Sequence, residues 1–313
     1  MKILEIERSE YEKRLKNVPC GYMKSEFCEY NKKKIDGIKY LLFCEEDKER
    51  FVAVFGCKDR ELLLPFSAPF STIGGIKKET KIEHYKEALE ALKSYTYEAG
   101  YKTVEMTFPP LFYDERDISY WLNACHLAGA KIKKIDLNYA IELEAVEKKG
   151  YSDLLSHNAK KNLRIAKEKG NSFSICQTED EFYTAYDIIR QNREAKGYPL
   201  RMKYEQVRWT KDLLNGKFFI VRNGGKDLAS AIVFEPVPKV AQVIYWGDVP
   251  YVSEYKSINY LAEQLVMFYL EQGFRFLDIG PSTEQGVPNY GLCDFKESIG
   301  CQVTAKITMR FEI

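Results

Sequence analysis

Two stretches of this 313-residue chain follow the same plan. The helix-period segment "KIEHYKEALEALKSYTYEAG" (81–100) leads into the strand-period segment "KTVEMTF" (102–108), and "KSINYLAEQLVMFYLEQG" (256–273) leads into "FRFLDIG" (274–280). At a constant offset of 173 positions Ala88 matches Leu261, Leu92 matches Leu265, Gly100 matches Gly273, Tyr101 matches Phe274 and Val104 matches Leu277. Three strand-period runs precede each helix: "KYLLFCE", "RFVAVFG" and "RELLLPF" in the first half, "KFFIVRN", "LASAIVFEP" and "AQVIYWGD" in the second. A glycine just past the last turn, Gly100 or Gly273, closes each helix. Strands joined by short turns, one long helix and a returning strand predict a duplicated mixed α/β (α+β) architecture, in which each unit has a central mixed sheet flanked by helices.

The length is enough for two such units, each with its own core. Between them "KKGYSDLLSHNAKKNLRIAKEKGN" reads as one connecting helix, capped by Ser152 and closed at Gly170, which places the boundary near Gly150 and the units at 1–149 and 150–313. On that helix Leu155, Ala159, Leu163 and Ala166 form a packing stripe, while Lys160, Arg164 and Lys167 line another face. Two readings follow for this ridge: a solvated face, or a contact for a phosphate-bearing ligand.

Whole-molecule charge excludes a general attraction to nucleic acid or lipid, because 47 Lys and Arg stand against 46 Asp and Glu, a net charge of +1. Eight scattered cysteines without a CxxC pair, and three histidines, predict reduced buried thiols and no metal. The charged start "MKILEIERSEYEKRL" and the lack of a long apolar run predict no signal peptide and no membrane insertion, hence a cytoplasmic protein.

The last stretch of the second half, "NYGLCDFKESIG" (289–300), reads as a short helix followed by closing strands in "CQVTAKITMRFEI". The second unit thereby resembles the GNAT N-acyltransferases, whose last helix carries an Asn, a Tyr seven positions on and a Gly four beyond. Here Asn289, Lys296 and Gly300 stand at those spacings, with lysine in place of tyrosine. That lysine within "GLCDFKESIG", the segment "LPFSAPFSTIGGI" (64–76) and the basic "NAKKNLRIAKEKG" resemble the FemABX branch, which also carries tandem GNAT-like units. The chain departs from that branch in having no long heptad arm and in having Ile73 where an aromatic is usual. It departs from GNAT enzymes in a glycine-free stretch, "PYVSEYKSINYL", before the second long helix.

The resemblance implies transfer of an acyl group from acyl-CoA to an amine, with an amino sugar or a cell-envelope peptide precursor as the acceptor class and the second unit holding the donor. The first unit, with no counterpart of the Lys296 helix in the sequence, would be a structural, acceptor-side half. Two alternatives stay open: a Fem-type ligase using aminoacyl-tRNA, and a non-catalytic GNAT-like binding module. Helical geometry places Lys296 at the edge of the Leu292, Phe295 and Ile299 stripe, where it is either a snorkelling lysine or a fixed positive charge beside the reaction. Asp248, Asp278 and Glu235 stand at strand ends as acceptors for the amine proton, Asp248 foremost because it follows "YWG". Ser253, Lys256 and Ser257, at a helix start, are placed to meet a diphosphate, with Asn289 near them on the donor side. Acceptor binding falls to Arg193 and Tyr198, in an arginine- and aromatic-rich helix-turn-helix, and to Lys160 and Arg164 of the basic ridge.

Overall fold

A computed structural model describes residues 1–15, 20–77 and 80–313. Two compact units are present. Unit 1 comprises Met1–Leu137, Gln285–Val287 and Thr304–Ile313, and unit 2 comprises Asn138–Glu284 and Pro288–Val303.

Unit 1 runs β1 (Lys2–Glu5), α1 (Arg8–Arg14), α2 (Ser25–Asn31), β2 (Gly37–Glu45), β3 (Lys48–Lys58), β4 (Glu61–Leu64), β5 (Gly74–Gly75), α3 (Ile82–Glu98), β6 (Thr103–Thr107) and α4 (Glu115–Leu127). The strand β7 (Lys131–Glu142) then carries the chain into unit 2. There follow α5 (Leu143–Lys149), α6 (Tyr151–Leu154), α7 (His157–Glu168), β8 (Ser172–Ile175), α8 (Glu179–Lys196), α9 (Tyr204–Leu213), β9 (Lys217–Asn223), β10 (Lys226–Val237), β11 (Val240–Asp248), α10 (Ser257–Glu271) and β12 (Phe276–Pro281). Two short strands, β13 (Thr283–Glu284) and β14 (Val287–Pro288), precede α11 (Tyr290–Ser298) and the final strand β15 (Gln302–Glu312).

The repeat seen in the sequence is a repeat of topology. Unit 1 orders its strands β1-β2-β3-β4-β6-β15 and unit 2 orders them β7-β12-β11-β10-β9-β8. In each unit the strand before the long helix pairs parallel with the strand after it: β4 with β6, Leu62 opposite Val104, and β11 with β12, Ala241 opposite Leu277. The matched residues Ala88, Leu92, Leu261 and Leu265 are fully buried because α3 and α10 each turn one apolar stripe to their own sheet. In unit 1 that core is aromatic, with Trp121 edge-on to Phe51 and Tyr85 at centroid distances of 4.9 and 4.7 Å.

Three expectations need correction. The chain passes between units at Leu137/Asn138 rather than near Gly150, and its last ten residues return to unit 1, where Thr308–Glu312 pair with Thr103–Thr107. Sequence periodicity ran over this point because β7 continues as one strand through it. The connection is three helices rather than one: Leu155 is extended, and Ser156, not Ser152, caps α7 by accepting from Ala159 N at 3.2 Å. Finally, unit 1 does possess a counterpart of the Lys296 helix, α4, which follows β6 as α11 follows β12 but contains no lysine.

The units differ at the point where their parallel strands part. In unit 1 the chain after β4 folds back on itself: Ser71 N donates to Thr107 O at 3.1 Å, Gly74 and Gly75 pair with β3, and Trp121 Nε1 donates to Ile73 O at 3.1 Å over the buried Ile73. The segment "PFSTIGG" is thus a plug. In unit 2, β11 pairs with β12 only over Val240–Gln242 and then runs on to Asp248 beside β10 alone. Its continuation is an exposed turn, with Tyr251 98% exposed, that leads straight to α10.

The motif glycine Gly300 follows α11 with φ +89°, and a Cβ there would lie 2.9 Å from Leu154 Cβ. Gly300→Ala should therefore lose about 2–4 kcal/mol from left-handed strain plus overpacking. Urea unfolding should show a lower midpoint, and an unchanged midpoint would remove this account of the motif.

Candidate active site in unit 2

The site is built around a break in β12. Asp278, fully buried, accepts from Asn138 Nδ2 at 2.7 Å, from Gln242 Nε2 at 3.2 Å and from Gly280 N at 2.8 Å. At this place the pairing of β12 with β7 slips by one residue, Asp278 facing Ala140 and Gly280 facing Tyr139. Gly280 has φ +77°, open to glycine at little cost. In a regular strand successive carbonyls point to opposite sides. Here the left-handed residue turns three consecutive ones the same way.

Those three carbonyls receive Lys296. Its Nζ donates to Ile279 O at 3.1 Å, Gly280 O at 2.8 Å and Pro281 O at 3.0 Å, which uses all three ammonium protons. The side chain is 2% exposed, and its Nζ lies 5.5 Å from the centre of the Tyr139 ring. The helix edge identified in the sequence thus faces the broken strand rather than open solvent. Burial pushes the Lys296 pKa down to about 8, the nearby Asp278 opposes that shift and Arg193 adds to it. At neutral pH the group is an ammonium.

Helix α11 spans the parted strands. Phe295 lies tilted on Trp246 of β11 at 6.1 Å while Lys296 holds the end of β12. Asn289 caps the helix, its Oδ1 accepting from Leu292 N at 3.1 Å, and its Nδ2 donates to Tyr198 Oη at 3.1 Å. Tyr198 is brought there by the end of α8: Gly197 adopts φ +67°, and Tyr198 N returns to Arg193 O at 2.9 Å in a Schellman arrangement. Arg193, half-buried, therefore sits with its guanidinium 6.0 Å from the Tyr198 ring centre and 5.7 Å from that of Tyr245 on β11. Tyr245 is fixed in turn by accepting from Met202 N at 3.2 Å.

The structure links Asn289, Tyr198 and Arg193 directly, while Lys296 shares with Asn289 the helix that Asn289 caps. Asp248 lies elsewhere on the same strand end, with Asn192 Nδ2 donating to its main-chain O at 2.7 Å and to its Oδ1 at 3.1 Å. Burial raises the Asp248 pKa, and Lys196 opposes that. Glu235 is held by Lys217 and Asn215. At the start of α10, Lys256 adopts φ +50° and Ser253 opens the preceding turn, while Ser257 is 1% exposed with its Oγ unpartnered. Lys160 and Arg164 lie on α7, facing Asp153 at 3.9 Å and Glu168 at 3.7 Å, and Lys167 pairs with Glu263 at 2.7 Å. The ridge is basic in composition but carries its own counter-charges.

Sequence reasoning missed Tyr245, Tyr139, Asn192 and the anchoring role of Asp278. Only the Asp-x-Gly spacing at the end of "FRFLDIG" hinted at the last. All eight cysteines are buried and unbridged. Among the described residues one group, Glu45, His84 and Glu87 of unit 1, has ligand-type atoms close together, and there Arg50 already pairs with Glu45. No helix among the described residues is long and apolar enough to cross a membrane.

No family model and no curated protein matches the chain by sequence. Solved structures do match its fold. FemX superposes over 100% of this chain and 98% of its own with a TM-score of 0.71 at 12% identity. L-PGS from Bacillus licheniformis covers 97% of this chain and 92% of its own with a TM-score of 0.61 at 10% identity. A tandem GNAT protein from the clavulanic acid biosynthesis pathway covers 99% and 98%, with a TM-score of 0.51 at 9% identity. The fold is the tandem GNAT-type, FemABX-like fold.

Replacing Lys296 by Met keeps most of the buried stem and removes the donors of three carbonyls. Unmet buried acceptors cost about 1–3 kcal/mol each, so a loss of about 3 kcal/mol or more is expected in urea unfolding. A midpoint equal to that of the unsubstituted protein would show that the carbonyls do not depend on the ammonium.

Proposed function

We propose that this chain is an N-acyltransferase that moves an acyl group from a thioester donor, acyl-CoA, to an amine acceptor in unit 2. Unit 1 serves as the structural half. The observation that carries this reading is the parting of β11 from β12 beyond Gln242 and Asp278, bridged by α11 and not refilled by the chain as it is in unit 1. Past Gln242, β11 has no ladder partner on the β12 side among the described residues, so alternate main-chain N–H groups there lack a strand partner. Such donors suit a developing oxyanion.

The chemistry then divides among residues already placed. The amine nitrogen attacks the acyl carbon, the new C–N bond forms as the C–S bond breaks, and the sulfur leaves as thiolate or thiol. Asp248, whose carboxyl is raised by burial and held by Asn192, takes the amine proton directly or through water. Lys296 supplies a fixed positive field at the strand end while keeping the β12 carbonyls in place. The first turn of α10, with Ser253, Lys256 and the unpartnered Ser257 Oγ, supports a diphosphate at the helix N-terminus despite the missing glycine loop. Asn289 ties this donor side to Tyr198.

A second reading, an aminoacyl-tRNA-dependent ligase of the Fem type, is favoured by the glycine-free helix start and by Lys160 and Arg164 on α7. The ion pairs along that ridge and the net charge of +1 weigh against it. A cell-envelope peptide or amino sugar is the acceptor class to screen first.

Assays with acetyl-CoA against amino sugars and short peptides should show turnover, and calorimetry should show heat on adding coenzyme A. Asp248→Asn should lower kcat at least about 10²-fold with little change in KM and abolish the acidic limb of the pH profile. That limb arises because a protonated Asp248 cannot accept the amine proton, so activity falls as pH drops through its raised pKa. No turnover, no heat with coenzyme A and saturable, salt-sensitive tRNA binding would favour the second reading.

A further inference from the structure

Arg193 is a charged group whose environment leaves it incomplete. Its Nε is buried without a hydrogen-bond partner, and its guanidinium makes no ion pair among the described residues. Neighbouring Arg190, by contrast, is fully engaged, pairing with Asp187 at 2.6 Å and Glu194 at 2.8 Å, and Arg201 pairs with Glu284 at 2.9 Å. What surrounds Arg193 is aromatic: the Tyr198 and Tyr245 rings at 6.0 and 5.7 Å. The two rings hold the plane in position, but they cannot accept from its N–H edge as an oxygen would.

A second cation of unit 2 is Lys296, whose ammonium is disfavoured chiefly by burial and in small part by Arg193. Its donors are spent on carbonyls, and carbonyls carry no net charge. Asp278, a carboxylate that favours the Lys296 charge, is tied up by three donors of its own. Arg193 thus lacks an acceptor on its buried edge and a counter-charge, and binding an oxyanion would supply both.

We infer that Arg193, held between Tyr198 and Tyr245, is the receptor for an oxyanion, a phosphate or carboxylate, borne by the substrate of unit 2. The oxyanion docks on the N–H edge of the guanidinium, beside the Tyr198 ring that Asn289 holds. This rests on the reading of unit 2 as the transferase site for its biological meaning. The binding itself requires no transfer and can be tested without it. Acceptors limited to neutral amines or simple sugars are thereby excluded in favour of amines that also carry an acidic group.

Thermal shift and calorimetry with inorganic pyrophosphate and with succinate, at ionic strength matched by sodium chloride, distinguish phosphate from carboxylate. Millimolar addition of one of them should raise the Tm of the unsubstituted protein. Arg193→Met should abolish that rise while leaving the Tm without ligand equal or higher, because it removes a charge that the empty site does not pair. A purely structural arginine predicts the reverse, a lower Tm and unaltered anion response. Should Arg193→Met fail to fold, Arg193→Lys keeps the charge without the planar fork, and at least a tenfold weaker anion affinity is expected of it. The inference is overturned if neither anion stabilises the protein, or if either variant binds as the unsubstituted chain does. Acyl transfer detected with neutral amines and no anion response would overturn this inference while leaving the transferase reading intact.

Discussion

An ammonium surrounded by three consecutive carbonyls organises unit 2 of this protein. A regular strand cannot aim Ile279, Gly280 and Pro281 at a single point, so the arrangement requires the left-handed Gly280, the slipped register against β7 and the Asp278 side chain that catches Gly280 N. Once β12 is bent in this way it cannot continue beside β11, and the two parallel strands separate. Lys296 satisfies the carbonyls that the bend would otherwise leave without donors, and α11, which carries it, covers the gap by laying Phe295 on Trp246. The opening and its support have one origin.

The same topology without those devices gives a different outcome in unit 1. There the helix after the central strand has no lysine, and the chain between β4 and α3 folds back so that Ser71 bonds to Thr107 and Ile73 to Trp121. The apolar stripes of α3 and α10 recur in both units because they depend only on period and burial, while in unit 1 the chain between β4 and α3 pairs back onto β3 and β6.

Much of this was legible in the sequence, and what was not has physical reasons. The offset pairs from Ala88/Leu261 to Val104/Leu277 identified the repeat because buried stripes and the helix-ending glycines are local requirements. Asn289, Lys296 and Gly300 were found through spacing, and Gly300 proves to be needed twice, for its φ and for Leu154. The exchange of terminal strands was hidden, since pairing of Thr308–Glu312 with Thr103–Thr107 joins residues about 200 positions apart and leaves no periodic trace. Helix α4 was overlooked because its mixed sequence has no resemblance to α11, and the cap of α7 was misplaced by four residues because Leu155 continues the apolar period without being helical. The convergence of Tyr245 with Arg193 and Tyr198 comes from β11 meeting the end of α8, and only three-dimensional structure could supply it.

The central claim is that the parted strands of unit 2 form the place where donor and acceptor meet. A crystal structure of the protein soaked with a non-reactive acyl-CoA analogue tests it most directly. The account predicts density for the acyl group between β11 and β12 beyond Gln242 and Asp278, with the diphosphate at the first turn of α10. Density confined to unit 1, or a unit 2 opening that stays closed to the analogue at saturating concentration, would contradict it.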